Sequence, residues 1–126
     1  MLLDTATFLW IITGSENLSK KAKEIYLNNN NKVYLSSVSV WEIIVKYKLG
    51  KLPLPDKPAK YIPAQRKLHA VETLPLEEND VAELEKLNSL HNDPFDRMLV
   101  CQARTRGLTI ITPDRLIHQY PVKTKW

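Results

Sequence analysis

Apolar residues open the chain as a short run, MLL, that stops at Asp4, and TATFLW follows with Thr5 or Thr7 placed to begin a helix. Strand then helix is the predicted order. From Ser19 to Leu27 the positions of Ala22, Ile25 and Tyr26, with Leu18 just ahead, carry a helical spacing that the four asparagines at 28 to 31 end. Residues 33 to 37, VYLSS, are rich in strand formers, after which SVSVWEIIVKYKLGKL turns helical with Val40, Ile44 and Tyr47 on one side and Gly50 as its stop. PLPDKP is a proline-rich connector, and Pro58 opens a helix that carries Ile62 and extends toward Leu68, which makes a helical hairpin.

AVETLP predicts a further strand, and EENDVAELEKLNSL an amphipathic helix with Val81, Leu84 and Leu87 aligned. DPFDRMLVCQARTRG predicts a helix closed by Gly107, LTIIT is the strongest strand pattern in the chain, and PVKT predicts a short closing strand. The strand runs are continuous in their apolar character and alternate with helices, as expected of a parallel sheet buried on both faces. The predicted class is therefore α/β: a three-layer domain with a parallel sheet and helices on both faces. No solenoid repeat interrupts it.

A length of 126 residues suits a single domain over 1–126, and 44% hydrophobic with 25% charged residues is ordinary for a globular chain. Cys101 has no partner cysteine and lies in the apolar run MLVCQA, which predicts a buried thiol in a reducing compartment. TATFLWIIT is about half of the ~20 residues a membrane span requires, and no basic segment precedes it, so a cytoplasmic protein without membrane association is expected. A formal charge of +4 and a pI near 9.2 favour polyanionic partners. Acids gathered at one place in such a chain then need a reason.

Asp4 and Asp114 fall at or just past strand ends, where open α/β sheets place their functional crevice. Each also suits a plain helix cap. Glu42 stands three residues after Ser39, so SVWE reads either as a capping box or as a carboxylate on the same rim as Asp4. In HNDPFDR, Asp93 before Pro94 has the signature of an N-cap, while Asp96, one turn later, is placed to point past the helix N-terminus into the crevice. Converging carboxylates repel one another unless a cation compensates, and an all-oxygen set favours Mg²⁺ or Mn²⁺. His69, His91 and His118 lack metal-ligand spacing and read as surface or packing residues. Arg97, Arg104, Arg106 and Arg115 are candidates to line a phosphate approach, with Arg97 and Arg115 adjoining the acids, whereas Trp10, Trp41, Tyr26 and Tyr47 read as core aromatics.

Taken together, LLDT, SSVSVWEI, HNDPFDRMLVCQA and LTIITPD resemble the PIN-domain ribonucleases, specifically the VapC-type toxins of toxin–antitoxin pairs. HNDPFDRMLVCQA is the most specific segment. The resemblance implies a Rossmann-like sheet with a helical hairpin insertion, and a Mg²⁺ or Mn²⁺ site onto which Asp4, Glu42, Asp96 and Asp114 map as catalytic and metal-binding residues, with Asp93 at a recurrent family position. It also implies hydrolysis of an RNA substrate, inhibition by a cognate antitoxin, and a homodimer. Thr5 and Thr112 are placed to orient waters or acids. Two rivals stand beside it: a phosphoryl-transfer domain with Asp4 as nucleophile, for which the second motif acid is replaced by Ala6, and a non-catalytic binding module whose acids are only caps.

Overall fold

β1 (Leu2–Leu3) lies at the centre of a five-stranded, wholly parallel sheet, between β2 (Tyr34–Ser36) and β4 (Ile110–Ile111), with β3 (Glu72–Leu74) and β5 (Thr124–Lys125) at the edges. The computed structural model describes residues 1–126. The chain winds outward from β1 to β2 and β3, then returns to the other side for β4 and β5, so the direction of winding reverses between β1 and β4. That reversal opens a crevice at the carboxyl ends of the two strands. Seven helices connect the strands: α1 (Thr5–Thr13), α2 (Lys20–Leu27), α3 (Ser37–Lys48), α4 (Pro58–His69), α5 (Glu78–Ala82), α6 (Pro94–Arg106) and α7 (Arg115–His118).

Successive strand residues point to opposite faces, and the core divides accordingly. Leu2 and Ile110 face a cluster built from α6, with Leu99, Val100, Cys101 and Ala103, and completed by Ile117 and Tyr120. Leu3, Leu35 and Ile111 face a second cluster holding Phe8 and Ile11 of α1, Ile43 of α3 and Ile62 of α4. Both faces are covered, which is why these short strands read as continuous apolar runs. Cys101 is a buried free thiol, its proton affinity pushed up to about 11, first by burial. No helix is long and apolar enough to cross a membrane.

The caps explain most boundaries. Gly107 closes α6 in the left-handed region at φ 65°, as its position predicts, while α4 ends on Ala70, a residue with a Cβ, at φ 54°. α3 and α4 form the helical hairpin expected from the proline-rich connector.

Three expectations are corrected. α3 begins at Ser37, earlier than the SVWE box requires: Ser36 is the N-cap and accepts from Val38 N–H at 3.0 Å, while its hydroxyl donates to Gln102. Ser39 therefore lies inside the helix, and Glu42 is free of any capping role. The buried face of α3 is Val38, Ser39, Glu42 and Ile43, leaving Val40, Ile44 and Tyr47 half-buried and Trp41 55% exposed, edge-on to Phe95 at 4.7 Å. The long helix over 77–90 is instead the short α5 followed by a 3-10 turn (Glu83–Lys86). Its cause is Asp80, buried against α6, where its carboxylate accepts from Arg106 at 3.0 Å and from Thr105; this turns Val81 outward, 41% exposed, and the tighter 3-10 winding brings Leu84 and Leu87 back to the core.

Candidate functional site

Asp4 leaves β1 and caps α1, its Oδ1 accepting from Thr7 N–H at 2.8 Å. Its Oδ2 accepts from the Thr112 hydroxyl, just past β4, and the same hydroxyl oxygen accepts from Asp114 N–H at 3.0 Å. Thr112 thus bridges two acids across the reversal in winding. The Thr7 hydroxyl ties the α1 start to the same strand by donating to the Ile111 carbonyl at 3.0 Å. Asp114 caps α7, accepting from Leu116 N–H at 2.9 Å.

Glu42 enters from α3. Its Oε1 accepts from the Thr5 hydroxyl and its Oε2 from the Lys46 ammonium, each at 2.6 Å. Asp93 caps α6, accepting from the N–H groups of Phe95 at 2.9 Å and Asp96 at 3.1 Å, and Asp96 follows in the first turn. Asp4, Glu42, Asp93, Asp96 and Asp114 all line one cavity of about 410 Å³, together with Lys46, Lys51, Pro113 and Thr5. Asp4, Asp93 and Asp114 each cap a helix and line the cavity at once, because a helix N-terminus aimed at the crevice places its capping carboxylate there.

Burial raises the proton affinity of Asp4, and the nearby Asp114 adds to this, while hydrogen bonds from Thr112 and Thr7 act the other way. Asp96 is pushed up to about 8, first by burial and then by the charges of Asp93, Asp114, Glu42 and Asp4. The ammonium of Lys46 is stabilised chiefly by its hydrogen bond to Glu42. Five carboxylates against two ammonium groups leave the cavity with an excess of negative charge when all are ionised. No three of its groups stand together as a preformed ligand cluster; they surround a shared space instead. With carboxylate and hydroxyl oxygens and no histidine or cysteine on its lining, that space suits a hard cation.

The positive groups differ from those expected. Arg97 and Arg115 are absent from the lining, Arg104 pairs with Glu83 at 3.0 Å, and Arg106 is held by Asp80. Lys46 and Lys51 take their place. Lys46 was legible in retrospect, since it stands one helical turn after Glu42. His91 packs against Tyr120 as a largely buried ring, and its Nε2 lies 3.4 Å from Asp96 Oδ2 and its Nδ1 2.8 Å from the Tyr120 hydroxyl.

Comparison with known proteins adds a family. A family model described as PIN domain matches residues 1–123. Ribonuclease VapC16 of Mycobacterium tuberculosis is 42% identical over 43 residues, which is 34% of this chain and only 30% of that protein. Among solved structures, VapBC2 from Rickettsia felis, bound to a promoter DNA fragment, superposes with a TM-score of 0.71 at 16% identity, covering 98% of this chain and 96% of that one. VapBC from Salmonella typhimurium, also DNA-bound, gives 0.69 at 20% identity, covering 98% and 95%. VapBC-1 from Haemophilus influenzae gives 0.64 at 18%, with the same coverage. At such identities these structures show a common fold.

Proposed function

The chain belongs to the PIN-domain family, and from that premise we propose that it is a metal-dependent endoribonuclease of the VapC toxin type, hydrolysing RNA phosphodiester bonds in the acidic cavity. The observation that carries this reading is the convergence of five carboxylates on one crevice at the carboxyl ends of β1 and β4 in a chain of net positive charge. The short stretch shared with a protein named as a ribonuclease supports it.

Asp4, Glu42, Asp96 and Asp114 are the residues assigned to hold Mg²⁺ or Mn²⁺, with Asp93 beside them. When bound, the ion supplies an activated water for in-line attack and charge stabilisation at the phosphoryl oxygens. Thr7 and Thr112 fix the orientation of Asp4, and Thr5 and Lys46 fix that of Glu42, so these two acids meet a cation without first having to order themselves. Burial and the neighbouring acids push Asp96 up to about 8, so a cation held there would have to displace its proton. Lys46 and Lys51 present positive charge to an incoming phosphate at the rim of a cavity that would otherwise repel it.

Asp4 as a phosphoryl nucleophile has less support, because the second acid such a motif requires is replaced by Ala6. A cognate antitoxin and a second copy of the chain are the proposed partners, following the toxin–antitoxin pairs that the motifs resemble. Calorimetric titration with Mn²⁺ tests the site: saturable binding that weakens more than about tenfold in Asp96→Asn is expected, and equal binding by both proteins refutes the assignment.

A further inference from the structure

Asp4 and Asp114 are linked through Thr112, and Glu42 is pinned from two sides, but Asp96 has no such brace from the sheet. Its one side-chain partner is His91, which belongs to the loop before α6. The His91 side chain is only 10% exposed, and its other ring nitrogen meets Tyr120, which is 3% exposed within the cluster containing Leu87, Leu99 and Ile117. Tyr120 stands just after α7, and its N–H donates to the Ile117 carbonyl at 3.1 Å. The helix it follows is the one that Asp114 caps at the other end. A continuous path therefore runs from Asp96 through His91 and Tyr120 to α7 and Asp114.

We propose that His91 and Tyr120 are positioning residues that brace Asp96 against α7, so that the α6 and α7 sides of the cavity keep a fixed separation. This rests on the metal-site reading for its consequence, but the brace itself is independent of it. Both ring nitrogens of an imidazole are engaged at once, which fixes the plane of the ring and hence the direction from which Asp96 is approached. The buried phenol also requires a polar partner, so a purely structural use of His91 would be to satisfy Tyr120 alone. The two uses differ at Asp96. A brace transmits any loss at Tyr120 to the carboxylate, whereas a satisfied phenol does not.

The test has two readings on the same proteins. In metal-free protein labelled with ¹⁵N-histidine, Asp96→Asn is expected to shift the His91 ring resonances chiefly at Nε2, and Tyr120→Phe chiefly at Nδ1; ring signals unmoved by either substitution overturn the brace. With Mn²⁺, both His91→Ala and Tyr120→Phe are expected to weaken binding and lower kcat by about tenfold or more, with KM for RNA little changed, and His91→Gln, which retains a donor, recovers part of the loss. Mn²⁺ affinity and kcat at wild-type levels in folded Tyr120→Phe overturn the positioning role. If Asp96→Asn itself leaves Mn²⁺ affinity unchanged, the metal-site reading fails and takes the positioning role with it, while the ring shifts still report the brace.

Discussion

Thr112 is the residue whose small size most understates its part in the site. Its hydroxyl donates to Asp4 and accepts from the Asp114 backbone, and it is wholly buried. Thr112→Val keeps the shape and removes both interactions, leaving a buried carboxylate oxygen without its donor. We expect cleavage activity to fall by about ten- to a hundredfold and Asp4 to hold its proton more tightly, measured by steady-state rates and by carboxyl NMR titration. Of the cavity's acids, Asp4, Asp93, Asp96 and Asp114 were legible one at a time as strand-end or helix-start carboxylates, whereas Glu42, read at a helix start, lies inside α3. Lys46 and Lys51 were not singled out, because a lysine on a helix or loop carries no local mark of what it faces. His91 was missed for a related reason: its two partners lie 5 and 29 residues away in the chain, and no spacing rule connects them.

Caps and helix phases decide what the elements present to the crevice. Asp93 both caps α6 and lines the cavity, and two substitutions separate these uses. Asp93→Ala is expected to cost about 1 kcal/mol of stability in urea unfolding, whereas Asp93→Ser preserves a capping oxygen and removes only the charge. A loss of Mn²⁺ affinity in the stable Asp93→Ser protein places Asp93 among the site's working acids. At the end of α4, Ala70→Gly relieves a left-handed backbone and is expected to stabilise the protein by about 1 kcal/mol without touching activity. Helix positions were mostly readable from apolar spacing, but the facing of α3 and the length of α5 were not. Two polar devices set them: Ser36, which starts α3 directly from β2, and Asp80, whose pairing with Arg106 outweighs the apolar stripe of its own segment.

Across the molecule, parallel strands wound outward from β1 gather acids from four separate stretches of sequence, and the same crowding has a measurable effect on stability. Asp96 keeps its proton up to about pH 8 in the folded protein, while the unfolded chain releases it near the ordinary 3.8. Between those values the folded state binds more protons, so stability falls as pH rises from about 4 to about 8, and below that window both states are protonated and the difference vanishes. The metal-free protein should therefore melt at a lower temperature at pH 8 than at pH 5, Asp96→Asn should flatten that slope, and Mg²⁺ should stabilise more at pH 8 than at pH 5. The alternation of strands and helices was legible from the sequence, since a sheet buried on both faces leaves continuous apolar runs. The strand order was not, because two- and three-residue strands carry no pairing signal of their own.

The acidic cavity as a metal-dependent ribonuclease centre is most directly tested by titrating purified, partner-free protein with Mn²⁺ and following cleavage of a labelled RNA. Saturable, chelator-sensitive cleavage that drops more than about a hundredfold in Asp4→Asn and Asp96→Asn is the expected result, with both variants at least as stable as the parent. Cleavage that persists in both variants, or that proceeds equally well without a divalent ion, contradicts the account.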